Sequence, residues 1–577
     1  MHRETGRYAY VAVQGAAPVS DVPPTGLSRR ELLRHGGRTA LLGAAGLGLL
    51  GAAPARLVPD GRAPARMRVP VGGPFGDAYG AFGEPRGVGL TQTGAFDSTR
   101  TVTWLTSGRR DPGTRLRYGV VPPGTSAGAV ASGRTLDHEV RGRSVLAPHG
   151  RFDRDLGASR GPEAGEVEVR THRADVTGLR PGQRIAYQVG GDGGWSPVRT
   201  WTVPGARDEF RFTHVGDHGT TVAARRTTRA VQALRPDLHL LAGDLSYANG
   251  DQRVWDRWQQ QLAPLAGQVP ILYAPGNHEA QDFFGETYRR RFARPDPSVA
   301  WYGFDVGNLH VTSTTAGALI AGNEARAIPE LLFEELRFLE RDLADAARRR
   351  ADGELDFLVV VQHYPLFTEH RTRGPFSPEL VLLEEQLLQR YAVDLVLVGH
   401  DHMYQRSHPM VAGQPAGRAD GGDGPGLGYV QVLAGAGGQS LYEFTPIDLA
   451  TPRFDPANPV QRRGRWSAAW AREFSFVAYD VQGPSIEATA YGWYDVEGQN
   501  VVPDVDRYDE ELVRVDPDAV DPDLAPRVID RFTVRRKPQA VLDAAALLPR
   551  LVGPLLGRLP EFRGRVVPNL AEDCTRH

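Results

Sequence analysis

The feature that most constrains this chain is a series of five polar clusters, each of which follows an apolar run typical of a buried strand. The apolar runs cover residues 210–215, 238–242, 269–274, 357–361 and 393–398. Helix-like stretches such as 331–350 and 379–391 alternate with them, and this alternation predicts an α/β domain with largely parallel strands. The carboxyl ends of parallel strands lie at one edge of a sheet, where such folds bind ligands. We therefore expect the five clusters to form one site.

The clusters are rich in metal-binding residue types, and they are Asp217-His218-Gly219, Gly243-Asp244-Leu245-Ser246-Tyr247, Gly276-Asn277-His278-Glu279, Gln362-His363-Tyr364-Pro365 and Gly399-His400-Asp401-His402. Two aspartates, an asparagine, a tyrosine and several histidines form a ligand set for two hard or borderline metal ions. A glycine directly before a ligand lets the chain turn sharply at a strand end. A carboxylate shared by two ions would bring them close enough for in-line displacement. Any one cluster alone indicates only a turn or a surface pair, but five in this order predict a binuclear metal site.

The segment from about 67 to 204 has a different pattern, in which short runs with β-forming residues are separated by Gly/Pro turns. These runs are 100–105, 116–121, 172–179 and 184–189. Their spacing is typical of a β-sandwich. The turn 178–182 before a tyrosine-bearing strand makes the segment similar to a fibronectin type III module.

Beyond His402 the sequence contains a glycine-rich loop, 417–428, and further strand-like runs. The runs at 429–433, 474–481, 486–491 and 528–534 are suited to complete a second sheet of the same domain. The last residues contain a Leu/Ala-rich amphipathic stretch broken by prolines. A membrane-surface helix, packing against the body of the protein and disorder all remain open for this tail.

Length and charge narrow the function classes. A chain of 577 residues suits two or three domains, and its 41% of hydrophobic residues allows a sizeable core. A formal net charge of −2 gives no basic field, so we expect no nucleic-acid partner. Cys574 is the single cysteine, which excludes an intramolecular disulfide and a thiolate metal cluster. Lys537 is the single lysine; the arginine excess fits either phosphate recognition or codon usage in a GC-rich genome.

The first 55 residues are predicted to be a leader. Arg29-Arg30 precedes a mildly apolar stretch, 39–53, that is too short to span a bilayer well. Ala53-Pro54-Ala55 offers small residues for cleavage, so the segment resembles a twin-arginine export signal. An arginine-rich amphipathic helix is the alternative. We expect the twin-arginine machinery as a partner, no transmembrane anchor in the mature chain, and an extracellular, periplasmic or cell-wall-associated enzyme.

The ordered motifs D-x-G, G-D-x-x-Y, G-N-H-E, a strand-end histidine and G-H-x-H resemble those of the calcineurin-like metallophosphoesterases, and within them those of the purple acid phosphatases. The resemblance covers roughly residues 67–537, although Gln405 stands where the family motif G-H-x-H-x-Y-E-R has an acid. It implies an α/β metallophosphoesterase domain, a β-sandwich of two mixed sheets flanked by helices, at 208–537. An all-β, fibronectin III-like sandwich at 67–205 precedes it, and 538–577 form a C-terminal tail.

Tyr247 decides between branches of this superfamily. Other metallophosphoesterases commonly have a histidine two residues after the first aspartate, where this chain has Gly219. A tyrosine three residues after the second aspartate is typical of the purple enzymes, although a loop aromatic is the simpler interpretation of Tyr247. The resemblance implies a ferric ion and a divalent partner, zinc, manganese or iron. It assigns their ligands as follows: Asp217, Tyr247 and His402 for the ferric ion, Asn277, His363 and His400 for the divalent ion, and Asp244 as the bridge.

The resemblance also implies two substrate histidines. His278 would face the phosphate and help to protonate the leaving group. His370 would be the second, although it lies closer to His363 than its counterpart usually does, and a solvent-exposed loop histidine is the alternative. The implied reaction is hydrolysis of small phosphate monoesters by metal-hydroxide attack, an acid phosphatase activity without a phosphoenzyme.

Two other functions remain open at this point. A phosphodiesterase or phospholipase would use the same metal site, and its preference would depend on a pocket rim that the sequence does not reveal. A related exported family uses a cysteine ligand, but Cys574 lies far from the motifs. A non-catalytic surface-binding protein would be marked by loss of ligands, and the predicted set is complete.

Overall fold

The computed structural model describes residues 84–548 except 108–110, 148–151, 154–157, 160–168, 206, 283–284, 297–298, 319–328, 371–377, 417–425, 427, 443–465 and 494–525. All described residues belong to one compact unit, Met67–His577. The predicted leader and the tail beyond residue 548 lie outside the described residues. Within the described part, no helix is both long enough and apolar enough to cross a membrane.

The front of the described chain is an antiparallel β-sandwich. Its strands are β1 (Arg86–Thr91), β2 (Thr99–Ser107), β3 (Arg115–Val120), β4 (His138–Arg141), β5 (Arg143–Leu146), β6 (Phe152–Asp153), β7 (Ala158–Ser159), β8 (Val169–Thr177), β9 (Arg184–Gly191), β10 (Gly194–Trp195) and β11 (Arg199–Thr202), with a short helix α1 (Ala127–Ala131) after β3. One sheet has the order β1-β2-β8-β5, and the other has β10-β9-β3-β4 with β11 paired to β9. Buried side chains from both sheets, such as Trp104, Tyr187 and Trp201, form the core between them. All four predicted strands of this segment are confirmed.

The second part of the described chain contains two larger mixed sheets. The six-stranded sheet comprises β12 (Glu209–Val215), β13 (Leu238–Ala242), β14 (Ile271–Ala274), β24 (Phe474–Gln482), β25 (Ser485–Trp493) and β26 (Arg527–Arg535). The seven-stranded sheet comprises β15 (Tyr302–Val306), β16 (Leu309–Ser313), β17 (Phe357–Val361), β18 (Leu395–Val398), β19 (Tyr404–Ser407), β22 (Val430–Ala434) and β23 (Ser467–Ala471). A two-stranded ribbon is formed by β20 (Met410–Val411) and β21 (Gln414–Pro415).

Helices flank these sheets, and they are α2 (Val222–Ala233), α3 (Gln252–Ala266), α4 (Asn277–Ala280), α5 (Glu286–Arg291), α6 (Pro329–Ala351), α7 (Pro378–Arg390) and α8 (Gln539–Ala546). Side-chain caps mark two of their starts: Thr221 accepts a hydrogen bond from the amide of Ala224, and Asp251 accepts one from the amide of Arg253. The predicted helices at 331–350 and 379–391 correspond to α6 and α7.

In each sheet, the strands that precede the predicted site residues are parallel to one another. Strands β12, β13 and β14 are parallel neighbours, as are β16, β17, β18 and β22. The two sheets pack face to face through a shared apolar core that includes Phe212, Val359 and Leu397. The late strands are divided: β22 joins the seven-stranded sheet, while β24 to β26 extend the six-stranded sheet in antiparallel order. One domain therefore contains two groups of parallel strands, one in each of its packed sheets.

The front sandwich contacts α3 and β14. The hydroxyl of Tyr187 donates to the carbonyl of Gly267 at 2.7 Å, and Thr91 Oγ1 donates to the carbonyl of Ile271 at 2.9 Å. Arg199 adds a bond from its guanidinium to the carbonyl of Ala263 at 3.0 Å. These contacts involve the helix and strand on either side of one turn, so the sandwich braces the structure that lies behind the metal-site loops.

The residue before the C-terminal tail, Lys537, is anchored to the body of the protein. Lys537 is buried, and its Nζ donates to the carbonyl of Val393 at 2.7 Å and lies 3.2 Å from Asp394 Oδ1. Arg350 approaches the other carboxylate oxygen of Asp394 at 3.0 Å. A buried carboxylate between two buried cations costs desolvation that close pairing offsets. Within the tail itself, Ala545 of α8 is buried, Leu547 is exposed, and Arg390 at the end of α7 donates to the carbonyl of Leu548.

Candidate metal centre

The five predicted clusters meet at the carboxyl ends of the parallel strands. Asp217 follows β12, Asp244 follows β13, and Asn277 follows β14, while His363 and His400 follow β17 and β18 of the other sheet. Backbone hydrogen bonds join the loops directly: the amides of Asp217 and His218 donate to the carbonyls of Gly243 and Asp244. The site therefore lies where the ends of both packed sheets come together, as the strand-end argument predicts.

Local backbone conformation aims several of these side chains. Among the described residues other than glycine, nine have a positive φ, and four of them are predicted ligands: Asp217 (56°), Asp244 (49°), Tyr247 (57°) and His400 (75°). The left-handed region is unfavourable for residues with a Cβ, and residues held there cluster at functional sites. The surrounding fold thus holds these four residues in backbone conformations that are unfavourable in ordinary loops.

Three predicted ligands form one group of donors. Tyr247 Oη lies 2.9 Å from Asp217 Oδ1 and 2.9 Å from His402 Nε2, and His402 Nε2 lies 3.4 Å from Asp217 Oδ1. Two ligands that bind one ion at about 2.1 Å and at right angles lie roughly 3 Å apart. The spacing of this group therefore fits a single metal ion.

The other four predicted ligands form a neighbouring group. His363 Nε2 lies 3.0 Å from Asn277 Oδ1, 3.2 Å from His400 Nδ1 and 3.3 Å from Asp244 Oδ2. The ligand atoms of Asp244, His363 and His400 all lie within 4.8 Å of one another. This group has the same spacing as the first, and its nitrogen and oxygen donors suit a borderline divalent ion.

The outer contacts of two histidines test whether the donors fit metal ions. His363 Nδ1 donates to the carbonyl of Ala242 at 2.8 Å, and His402 Nδ1 donates to the carbonyl of Ser440 at 2.7 Å. Each ring therefore presents its Nε2 to the carboxylate and oxygen donors described above. Ligand histidines in proteins are oriented in this way, by a hydrogen bond from the nitrogen that does not bind the metal. The residues fit two metal ions.

Electrostatics supports the same conclusion. Burial alone would lower the pKa of His363, but the charge and hydrogen bond of Asp244 and the charge of Asp217 together outweigh burial and raise that pKa to about 9. Burial favours the neutral form of Asp244, yet the nearby His363 and His278 hold its pKa below the ordinary range. Burial and then the charges of Asp217 and Asp244 raise the pKa of Tyr247. Without a cation the site holds protons at these positions, and a metal ion replaces them when it binds.

The backbone of Gly219 lies next to the side chain of Tyr247. A Cβ added at Gly219 would lie 2.2 Å from Gln439 Nε2 and 3.5 Å from the Tyr247 ring. A larger residue at position 219 would have to displace Gln439. The tyrosine therefore occupies the space beside the first aspartate, which agrees with its predicted place in the donor set.

The two predicted substrate histidines lie beside the donors. His278 donates from Nδ1 to Asn249 Oδ1 at 2.6 Å, and its Nε2 lies 3.7 Å from Asp244 Oδ2. Its ring also contacts the ring of Tyr247, with centroids 4.3 Å apart. His370 is more distant: its ring is nearly perpendicular to that of Tyr442, with centroids 5.1 Å apart, and Tyr442 stacks on His402 with centroids 3.9 Å apart. The structure thus brings His278 directly to the centre and His370 to its rim.

Three residues at the site were missed by the sequence analysis as site residues. Asn249, with a φ of 47°, accepts the hydrogen bond from His278, and Tyr442 covers His402. Glu279 accepts bonds from the amides of Leu245 at 3.0 Å and Gly276 at 2.7 Å, which ties two ligand loops together. Only Glu279 carries a local signal, because an acid three residues after a helix cap is typical of a capping box.

Gly243 provides a test of the assignment of His363. It has a φ of 82°, and a Cβ at this position would lie 2.4 Å from His363 Nδ1. Gly353 has nearly the same φ, 80°, but a Cβ there would meet nothing within 4 Å. The two glycines therefore differ in their surroundings and share their backbone conformation.

We expect Gly243→Ala to displace the His363 ring and to lower metal affinity about 10–100-fold, the usual effect of disturbing the support of a ligand. Gly353→Ala carries the same backbone strain and is expected to keep its metal content. The measurement is metal content by plasma mass spectrometry after dialysis against a weak chelator. Equal metal retention in the two variants would contradict the role of His363.

Known proteins resemble this chain in sequence. Residues 210–404 match the family described as calcineurin-like phosphoesterase, and residues 85–203 match that described as purple acid phosphatase, N-terminal domain. An uncharacterized protein of Mycobacterium tuberculosis is 29% identical over 546 residues, covering 82% of this chain and 94% of that protein. Acid phosphatase type 7 of Mus musculus is 29% identical over 54% of this chain and 70% of its own length.

A solved structure shares the fold. The purple acid phosphatase PPD1 from yellow lupin (Lupinus luteus) seeds superposes with a TM-score of 0.57, covering 80% of this chain and 76% of that chain at 20% identity. Together with the two family matches, this confirms the resemblance inferred from the motifs. It also confirms the predicted fold class, a metallophosphoesterase domain of mixed sheets preceded by a β-rich domain.

Proposed function

We propose that this chain, a purple acid phosphatase-like metallophosphoesterase and hence a hydrolase of phosphoric esters, hydrolyses small phosphate monoesters outside the cytoplasm. The observation that supports the reaction is the pair of adjacent donor groups, which are linked where the amide of His400 donates to Asp217 Oδ2 at 2.7 Å. The family implies a binuclear metal centre. We propose Asp217, Tyr247 and His402 as ligands of a ferric ion, Asn277, His363 and His400 as ligands of zinc, manganese or iron, and Asp244 as the bridge.

The proposed identity of the ions follows from the donors. A phenolate is a hard anionic ligand that suits a ferric ion, whereas the amide and imidazole donors around His363 suit a divalent one. Because burial raises the pKa of Tyr247, its phenol loses its proton only next to a highly charged cation. When bound, the two ions neutralise the phosphate oxygens and activate water for in-line attack.

His278 is proposed to act on the leaving group. Its Nδ1–H is committed to Asn249, so Nε2 is the nitrogen that faces the site. Its backbone amide also donates to Asp244 Oδ1 at 2.9 Å, which fixes the position of the residue. A histidine held in this way can hold a proton at Nε2 and transfer it to the departing alkoxide, the usual contribution of a general acid. His370 is proposed as the second substrate-binding histidine.

Export is proposed from the leader. Arg29-Arg30 before the apolar stretch supports recognition by the twin-arginine machinery, and Ala53-Pro54-Ala55 supports subsequent cleavage. Transport of a folded protein would suit an enzyme that acquires its metal ions before it leaves the cell. The mature protein would then act in the periplasm, at the cell wall or in the medium, without a membrane anchor.

The test compares hydrolysis of p-nitrophenyl phosphate and bis-p-nitrophenyl phosphate by the mature protein, by Asn277→Ala and by Asn308→Ala. Asn308 is a matched control because it is buried but lies in the turn between β15 and β16, away from the predicted ligands. We expect monoester turnover that falls at least about 100-fold in Asn277→Ala, since even an outer-shell partner is worth 10–100-fold, and persists in Asn308→Ala.

The other outcomes distinguish the remaining functions. A strong preference for the diester would make the protein a phosphodiesterase or phospholipase on the same centre. Turnover of neither ester by a folded, metal-loaded protein would favour a surface-binding protein. Monoester turnover that survives in Asn277→Ala would place the chemistry elsewhere.

A further inference from the structure

The segment that carries His370 is held by buried amide side chains. Gln431 of β22 accepts hydrogen bonds from the amides of Leu366 at 2.7 Å and Phe367 at 3.1 Å, and its Nε2 donates to the carbonyl of Phe367 at 2.7 Å. Gln405 of β19 accepts from the amide of Glu369 at 3.1 Å. Both glutamine side chains are fully buried. The backbone on the way to His370 is therefore fixed by groups that cannot exchange their partners for water.

A further hydrogen bond joins this segment to the loop that contains two predicted metal ligands. The Thr368 hydroxyl donates to Asp401 Oδ2, and Thr368 Oγ1 in turn accepts a hydrogen bond from the amide of His370 at 3.1 Å. Asp401 lies between His400 and His402 and is fully buried. A buried carboxylate requires hydrogen-bond partners, so its bond to the Thr368 hydroxyl is difficult to break. The hydroxyl thus links the metal-site loop to the backbone of His370.

Gln405 has a related role in this chain. It stands where the motif usually has an acid, and an amide can accept from Glu369 while it donates to Ser467 Oγ at 3.3 Å. A carboxylate at this position would only accept. The glutamine that replaces the acid of the motif therefore makes a direct hydrogen bond to the segment that carries His370.

These bonds set where the His370 ring lies. The His370 ring is nearly perpendicular to the Tyr442 ring, with centroids 5.1 Å apart, and the amide of Tyr442 donates to the carbonyl of His402 at 3.0 Å. His370 is thus anchored through its backbone to Asp401 and contacts through its ring the tyrosine that covers His402. Both connections end on the same metal-site loop, which restricts the ring to the rim of the centre.

We propose that Thr368 and Asp401 are positioning residues that hold His370 against the substrate. The inference rests on the proposed function and adds to it a chain of contacts, Asp401 to Thr368 to His370. Thr368 does not contact the reacting atoms in this scheme. Its effect on turnover arises only through the ring of His370, and small displacements of such a group reduce rates strongly.

The test is a double-mutant cycle on the metal-loaded protein with p-nitrophenyl phosphate. Thr368→Val keeps the side-chain shape but removes the hydroxyl, and His370→Ala removes the ring. We expect each change to lower kcat about tenfold while KM shifts less than about threefold. The double variant is expected to lie within about twofold of His370→Ala, because both changes remove one interaction. Thr368→Ser restores the hydroxyl and is expected to restore kcat.

Several results would overturn the inference. Fully additive losses in the double variant, or loss of metal in Thr368→Val, would mean that Thr368 acts on the metal loop and not through His370. Unchanged kcat in either single variant would also overturn it while leaving the proposed function intact. A wild-type protein inactive on both phosphate esters would remove the proposed function and this inference together.

Discussion

The Asp244→Asn variant is expected to lose phosphoester hydrolysis by about a thousandfold. Asp244 Oδ2 lies 3.3 Å from His363 Nε2, and its Oδ1 accepts the amide of His278, so its carboxylate contacts both the proposed divalent site and the proposed acid. Asparagine keeps the shape but removes the negative charge that two cations would share. Bridging and charge stabilisation in binuclear sites are worth several kcal/mol, and each 1.36 kcal/mol is a tenfold change in rate.

Asp480→Asn is the matched control. Asp480 pairs with Arg211 at 2.6 Å on the same six-stranded sheet, but both side chains are partly exposed. Exposed pairs contribute about 1 kcal/mol or less, so this variant is expected to retain activity. Turnover and metal content are measured on both variants, together with thermal unfolding to confirm that each is folded. Asp244→Asn with two bound ions and near wild-type turnover would contradict the bridging assignment.

Much of the fold and the site could be predicted because the signals are local. Apolar runs such as 238–242 and 357–361 end directly before Asp244 and His363, and strand ends in a parallel sheet must share an edge. Strands β13 and β17 lie in different sheets, so the argument places the site loops within each sheet, and the packing of the two sheets brings the two sets of loops together. The family resemblance then assigned seven ligands within the five clusters, and the structure brings their side chains into two adjacent groups with spacings near 3 Å.

Other features depend on contacts that the sequence does not display. Asn249 meets His278 only because both loops reach the same edge, and Tyr442 reaches His402 through a segment 40 residues further along the chain. The division of the late strands is similar. Alternating residues in 474–481 predict a strand, but they do not tell whether it pairs with β12 or β18. Pairing partners are decided by the packing of the whole domain.

The second large effect concerns the metal ions themselves. His363 and His402 present their ring nitrogens to carboxylate and phenol oxygens, an arrangement that requires protons or cations. Burial opposes the charged form of His363, but Asp244 and Asp217 together raise its pKa to about 9, so a chain without metal carries a proton at a position where the proposed reaction needs an ion. Removing the ions is therefore expected to stop hydrolysis without unfolding the protein.

The measurement that tests the central claim most directly is turnover of p-nitrophenyl phosphate before and after removal of metal, with the metal content of each sample determined. We predict two ions per active chain, loss of turnover by at least about a thousandfold on chelation, and recovery only when ferric iron and a divalent ion are both restored. Circular dichroism verifies that the chelated protein stays folded. Undiminished turnover by folded, metal-free protein would contradict a binuclear metallophosphoesterase mechanism for this chain.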